Sequence, residues 1–175
     1  MTNSHERELL GRRMPDIALR ATTGDTLSLR ELTVNPTVVF FYPKTGDPGK
    51  PDSAAWTAIP GARGCTAETC SFRDLRRDFE ELGWNIVGCS SQTSEYQTEA
   101  STRLHLPYPL LSDTELALAD ILGLPTFEFD GFRLFRRITL LLHDCQIVGV
   151  VDPGDDPTGH VEEVLKTVRA IAVPA

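Results

Sequence analysis

The sequence predicts a single domain in which strands and helices alternate, an α/β or mixed α+β fold. Three observations carry that expectation. The chain has 175 residues, 41% of them apolar, enough for one well-packed core and too few for two. Short β-branched and aromatic runs alternate with segments whose apolar residues recur at helical spacing. No repeat or low-complexity tract interrupts the alternation.

Taken in order, residues 1–13 (MTNSHERELLGRR) read as an N-terminal extension ahead of a domain over 14–175. They hold no apolar run long enough for a signal-peptide core, and no stretch of the chain approaches the ~18 apolar residues of a membrane span. We expect a soluble, cytoplasmic protein with no membrane partner. Residues 16–19 (DIAL) and 27–29 (LSL) flank TTGD as an early hairpin, and 37–42 (TVVFFY) reads as a central buried strand. The loop at 43–64 holds four Pro and four Gly in 22 residues. It is longer than ordinary connections, the mark of a functional or disordered segment. Trp56 is its expected anchor over the core.

From Cys65 onward, Phe72, Leu75, Phe79 and Leu82 recur at helical spacing, and Gly83 supplies the stop. Counting back seven from Phe72 puts Cys65 on the buried stripe at the helix start. Cys70 falls in line with Arg73, Asp74 and Arg77 on the wet face. Residues 85–90 (NIVGCS) form another buried strand, with Cys89 as core filler; 94–104 is a helix, 107–113 a loop, and 114–122 a short helix ended by Gly123. In 127–135 (FEFDGFRLF), Asp130-Gly131 marks a two-residue hairpin, with Phe127, Phe129, Phe132 and Phe135 as core or hairpin residues. ITLLL and QIVGVV pair as strands around His143 to Cys145. A last helix over 159–172 buries Val161, Val164, Leu165, Val168 and Ile171, with Pro157 near its entry.

The net charge of −8 repels phosphate backbones and argues against nucleic acid as a partner. In a reducing compartment, close thiols are metal ligands or redox groups. A C-x4-C pair needs a second clustered pair to hold zinc, and Cys89, Cys145, His5, His105, His143 and His160 are scattered. For Cys65 and Cys70 that leaves redox chemistry or incidental thiols. On an intact helix their Cα atoms lie about 8.7 Å apart, beyond the ~7 Å reach of a disulfide.

A thiol attacks as thiolate. With a pKa near 8.5 only about 3% is ionised at pH 7; a value near 6 gives about 90% and takes about 3.4 kcal/mol of preferential stabilisation of the anion. A helix N-terminus supplies about 0.3–2 kcal/mol, so an arginine must provide much of the rest. The candidates are Arg63, Arg73 and the pair Arg136-Arg137, with Arg73 the weakest because it lies on the polar face.

VVFFYPK, then a cysteine entering a helix as GCTAETCSFRD, then NIVGCSSQ, YPLLSD and RITLLL, in that order, resemble the peroxiredoxin family, and the C-x4-C spacing its Q, or bacterioferritin-comigratory, subgroup. The resemblance covers about residues 11–172. It implies a thioredoxin-like α/β fold, a central mixed β-sheet flanked by helices with an extra N-terminal hairpin. It also implies reduction of hydrogen peroxide or organic hydroperoxides with no metal or organic cofactor. Carried over by residue, Cys65 is the peroxidatic nucleophile, Cys70 the resolving thiol that condenses with its sulfenic acid, Pro43 the proline shielding the nucleophile, and Arg137 the holder of thiolate and peroxide oxygen.

The family places Thr or Ser three residues before the nucleophile; here Ala62 stands there. Thr57 or backbone N–H groups are the expected replacement. The spacing requires the first helical turns to unwind before the thiols meet. Thioredoxin or a glutaredoxin-like dithiol is the expected reductant, docking near Cys70, for a monomer or weak homodimer. The phenylalanines of 127–135 are candidates for a hydrophobic mouth or a dimer face. Two rivals remain: a redox-sensing or chaperone-like thiol switch without turnover, and a general disulfide oxidoreductase, which needs a C-x-x-C pair this chain lacks.

Overall fold

A computed structural model describes residues 3–171. Seven strands form one mixed sheet in the order β2-β1-β5-β4-β3-β8-β9. They are β1 (Ala18–Ala21), β2 (Thr26–Ser28), β3 (Thr37–Phe41), β4 (Asn85–Ser90), β5 (Leu110–Ser112), β8 (Ile138–His143) and β9 (Gln146–Val151), while β6 (Thr126–Phe129) and β7 (Phe132–Phe135) make a separate hairpin. β3, β4 and β5 run parallel, and the remaining pairs are antiparallel. This is the mixed sheet with an added N-terminal hairpin expected from the sequence.

The helices are α1 (Ser4–Leu9), α2 (Leu29–Leu32), α3 (Ala54–Thr57), α4 (Cys65–Asp74), α5 (Arg76–Glu81), α6 (Ser94–Arg103), α7 (Ala117–Leu122) and α8 (His160–Ala170). Alternate side chains of β3 divide between two cores, as a strand's period of two requires. Val39 and Phe41 join Leu9, Met14, Leu118 and Leu122 on one face; Val38, Phe40 and Tyr42 meet Cys65, Phe72 and α8 on the other. Val161, Val164, Leu165 and Val168 are buried as their spacing predicts, worth about 6–12 kcal/mol relative to exposure. The expected end of that helix at residue 172 lies outside the described residues. Beneath α4, the Phe40 ring stacks on Phe72 at 4.3 Å. It can do so because residue 88 is glycine: a Cβ there would lie 2.7 Å from Phe40.

Several expectations are corrected. The helix predicted from Cys65 to Leu82 breaks at Leu75 (φ −93°, ψ 5°) into α4 and α5. The apolar stripe shifts there, so Leu82 is 41% exposed and Trp84 is buried instead. The loop read at 107–113 contains β5, whose two leucines are too few for a period to show. Leu29 belongs to a helical turn capped by Ser28 rather than to a strand. The segment 1–13 contains α1, closed by a reciprocal Asn3–Glu6 capping box, and its Leu9 is buried. The 43–64 segment contains α3, capped by Ser53. Trp56 does anchor it, but on the hairpin and not on the central core: its ring meets Phe129 at 4.9 Å and Phe127 at 6.1 Å. Phe135 is fully buried, and Phe132 is 68% exposed at the hairpin tip.

Candidate active site

Cys65 is the first residue of α4. The residue before it, Gly64, adopts φ +98°, a conformation glycine takes at little cost. No side chain caps this end, so the unpaired first-turn N–H groups are left for solvent or a ligand. The thiol is 3% exposed and points its S–H at the Ala62 carbonyl, 3.6 Å away. It lies at the floor of a cleft of about 410 Å³ that Cys70, Lys44, Trp56, Ala62 and Thr66 also line. Cys70 is half-buried, and all four cysteines are free.

Arg137 reaches the sulfur from the sheet. The antiparallel register Phe41↔Ile138 carries Arg137 to the level of Tyr42, next to buried Pro43. Its Nη2 donates to Cys65 Sγ at 3.2 Å and to the Arg63 carbonyl at 3.1 Å, while Nη1 pairs with Glu68 Oε2. Two residues on, and hence on the same face, Thr139 Oγ1 lies 2.8 Å from His160 Nε2, at the start of α8. Cys65 and Arg137 are thus brought together, Cys70 lines the same cleft as Cys65, and Pro43 lines a neighbouring cavity with Arg137.

Thr57 is not brought to them. It is exposed on α3 and absent from the cleft lining. Thr66 lines the cleft, and its hydroxyl accepts from the Gly46 N–H at 3.3 Å. Arg63 is exposed and 3.6 Å from Asp52. Arg73 donates to the Leu104 carbonyl at 2.7 Å, and Arg136 lies exposed over Phe127. Cys89 is fully buried in β4; Cys145, in the β8–β9 turn, donates to the Arg30 carbonyl.

The electrostatics correct a second expectation. The sequence suggests a thiol held well below its ordinary pKa, whereas burial pushes Cys65 up. Arg137 and the Lys44 backbone N–H oppose that shift, and the Glu68 carboxylate reinforces it. Glu68 is itself pushed up, to about 7, by burial against the pull of Arg137. His160 is pushed down to about 4 by burial and by Arg137, and is neutral at pH 7.

Glu68 and His160 were not among the candidates from the sequence. Glu68 could have been: it lies three residues after Cys65 and four before Phe72, on the same helical stripe, where a carboxylate is out of place unless paired. Nothing local marks His160. Among the described residues, no three His, Cys, Asp or Glu side chains converge as a metal site, and no helix is long and apolar enough to cross a membrane.

A family model described as Redoxin matches residues 9–168. The chain is 29% identical over 158 residues to the chloroplastic peroxiredoxin Q of Sedum lineare, covering 90% of this chain and 76% of that one. It is similar to the crystal structure of the peroxidoxin BcpB of Mycobacterium tuberculosis, with a TM-score of 0.73 and 29% identity over 94% of this chain and 98% of that one. It also resembles the bacterioferritin comigratory protein of Xanthomonas campestris, whose alkyl peroxide reduction has been studied in trapped complexes; the TM-score is 0.70 and the identity 26%, over 89% and 91% of the two chains.

Proposed function

Since the chain belongs to the redoxin family and is a peroxiredoxin of the Q, or bacterioferritin-comigratory, type, a thiol peroxidase, we propose that Cys65 is its nucleophile and Cys70 its resolving thiol. The observation that carries this reading is the contact from Arg137 Nη2 to Cys65 Sγ at a helix start, in a cleft that both thiols line. The thiolate attacks the terminal oxygen of the hydroperoxide, the O–O bond breaks, and the alkoxide takes a proton and leaves as alcohol. Cys65 becomes a sulfenic acid. Cys70 attacks that sulfur, expelling water, and the 65–70 disulfide is returned to two thiols by a dithiol.

The donor missing at Ala62 is supplied in this reading by first-turn N–H groups of α4, which no side chain caps and which favour developing negative charge. Pro43, buried beside Arg137, keeps water from the sulfur. We infer thioredoxin or a glutaredoxin-like dithiol as the reductant, in a cytoplasm reducing enough to keep the four cysteines as thiols between turnovers.

The test is hydroperoxide consumption coupled to a thioredoxin system. Wild type turns over many equivalents, and Cys65→Ser none. A protein that stops after one equivalent is a thiol switch, and an active Cys65→Ser removes Cys65 from the chemistry.

A further inference from the structure

Glu68, His160 and Thr139 form a buried polar group behind the sulfur that the steps above do not use. Glu68 is 6% exposed and His160 3%. One carboxyl oxygen of Glu68 pairs with Arg137, but the other, Oε1, has no hydrogen-bond partner. The nearest polar group to it is His160 Nε2 at 3.6 Å, the same nitrogen that lies 2.8 Å from the Thr139 hydroxyl. A lone pair on Nε2 would face the carboxylate and be repelled, so the neutral tautomer that fits carries its proton there.

Arg137 is the only cation bonded to either Cys65 or Glu68 among the described residues. The other titratable groups against the cluster, Tyr42 and Tyr108, are held protonated by burial. A dry site with one guanidinium favours one anion over two. We propose that Cys65 and Glu68 share a single negative charge across Arg137, and that His160, steadied by Thr139, is the positioning residue that sets which of them carries it.

With Nε2–H turned to Oε1, the charge rests on the carboxylate and the sulfur keeps its proton. With Nε2–H turned to Thr139, the carboxyl takes the thiol proton and leaves Cys65 as thiolate on Nη2 of Arg137. The exchange moves one proton from Sγ to the carboxyl and changes no net charge. Its catalytic meaning rests on Cys65 being the nucleophile; the ionisation itself does not.

The test is the pH profile of iodoacetamide alkylation at Cys65, read by mass spectrometry in a Cys70→Ser background without peroxide. Glu68→Gln, which ends the competition for Arg137, raises Cys65 alkylation at pH 7 by about tenfold. His160→Leu and His160→Met, which remove the donor to Oε1, each raise it by about three- to tenfold. His160→Gln, which keeps a donor, stays near the reference, and adding His160→Leu to Glu68→Gln changes nothing further. The proposal is overturned if the apolar variants leave the profile where it was, or shift it as much in the Glu68→Gln background. Peroxide consumption measured in parallel with Cys70 present separates this from the nucleophile assignment, since a shifted profile without turnover there would fault only the latter.

Discussion

If Cys65 and Cys70 bridge as proposed, α4 has to open first, so whatever fastens α4 should slow that step. One fastener is the Tyr108 hydroxyl, which donates to the Thr69 carbonyl in the middle of the helix. Tyr108→Phe deletes that bond while leaving the ring, 5% exposed and edge-on to Phe40 at 5.8 Å. The Thr69 carbonyl remains the acceptor of an in-helix bond, so no buried group is orphaned. The loss is then the net worth of one hydrogen bond, about 1 kcal/mol, and the open population rises about fivefold. Rapid-quench intact-mass measurements after one equivalent of peroxide resolve the gain of one oxygen from the later loss of water, which leaves the protein two hydrogens lighter than its reduced form. The second step should quicken about fivefold and the first should not change. An unaltered second step, or equal changes in both, would refute the reasoning.

Arg137→Met removes the donor to Cys65 and leaves Glu68 buried without its partner. We expect the peroxide rate to fall by about two to three orders of magnitude and the melting temperature to drop with the loss of a buried pair, about 3 kcal/mol or more. Thr57→Val leaves the peroxide rate at wild type in a steady-state assay, because that side chain is exposed away from the cleft. The pH dependence of stability carries opposed contributions. His160, at about 4 against an ordinary 6.5, binds its proton more tightly unfolded, so its contribution is present above 6.5 and is lost as pH falls toward 4. Glu68, at about 7 against 4.5, binds its proton more tightly folded, so its contribution is present below 4.5 and is lost as pH rises through 7. Each is worth about 3 kcal/mol, and the two cancel over the shared window of about pH 4.5–6.5. Urea melts across that window should be flat for wild type, rise with pH for Glu68→Gln, and fall with pH for His160→Gln.

The fold was legible wherever a period had room to repeat. TVVFFY, NIVGCS, the Asp130-Gly131 hairpin and the valine stripe of α8 announce themselves in sequence. β5 did not, because a three-residue strand shows no alternation and Pro107 and Pro109 make it read as loop. The break at Leu75 follows no Gly or Pro, and α1 needed its Asn3–Glu6 box to be noticed in a segment otherwise polar. At the site, spacing placed Cys65 on the buried stripe at a helix start, but position left Arg63, Arg73 and the Arg136-Arg137 pair open, and only the family resemblance singled out Arg137. Glu68 passed as an ordinary first-turn acid. His160 is 92 residues from it in the chain, and only the packing of α8 on the sheet puts the two 3.6 Å apart. Pairings of that kind are set by tertiary structure. The sign of the thiol's shift was missed for the same reason: burial and the Glu68 charge oppose what a helix end and an arginine supply.

The most direct test of the account is mass spectrometry of the protein and its Cys→Ser variants after one equivalent of hydroperoxide. The account predicts a 65–70 bridge in wild type, a sulfenic acid at Cys65 that dimedone traps in Cys70→Ser, and no oxidation at either site in Cys65→Ser. Oxidation appearing first at Cys89 or Cys145, or a wild-type bridge that omits Cys65, would contradict it.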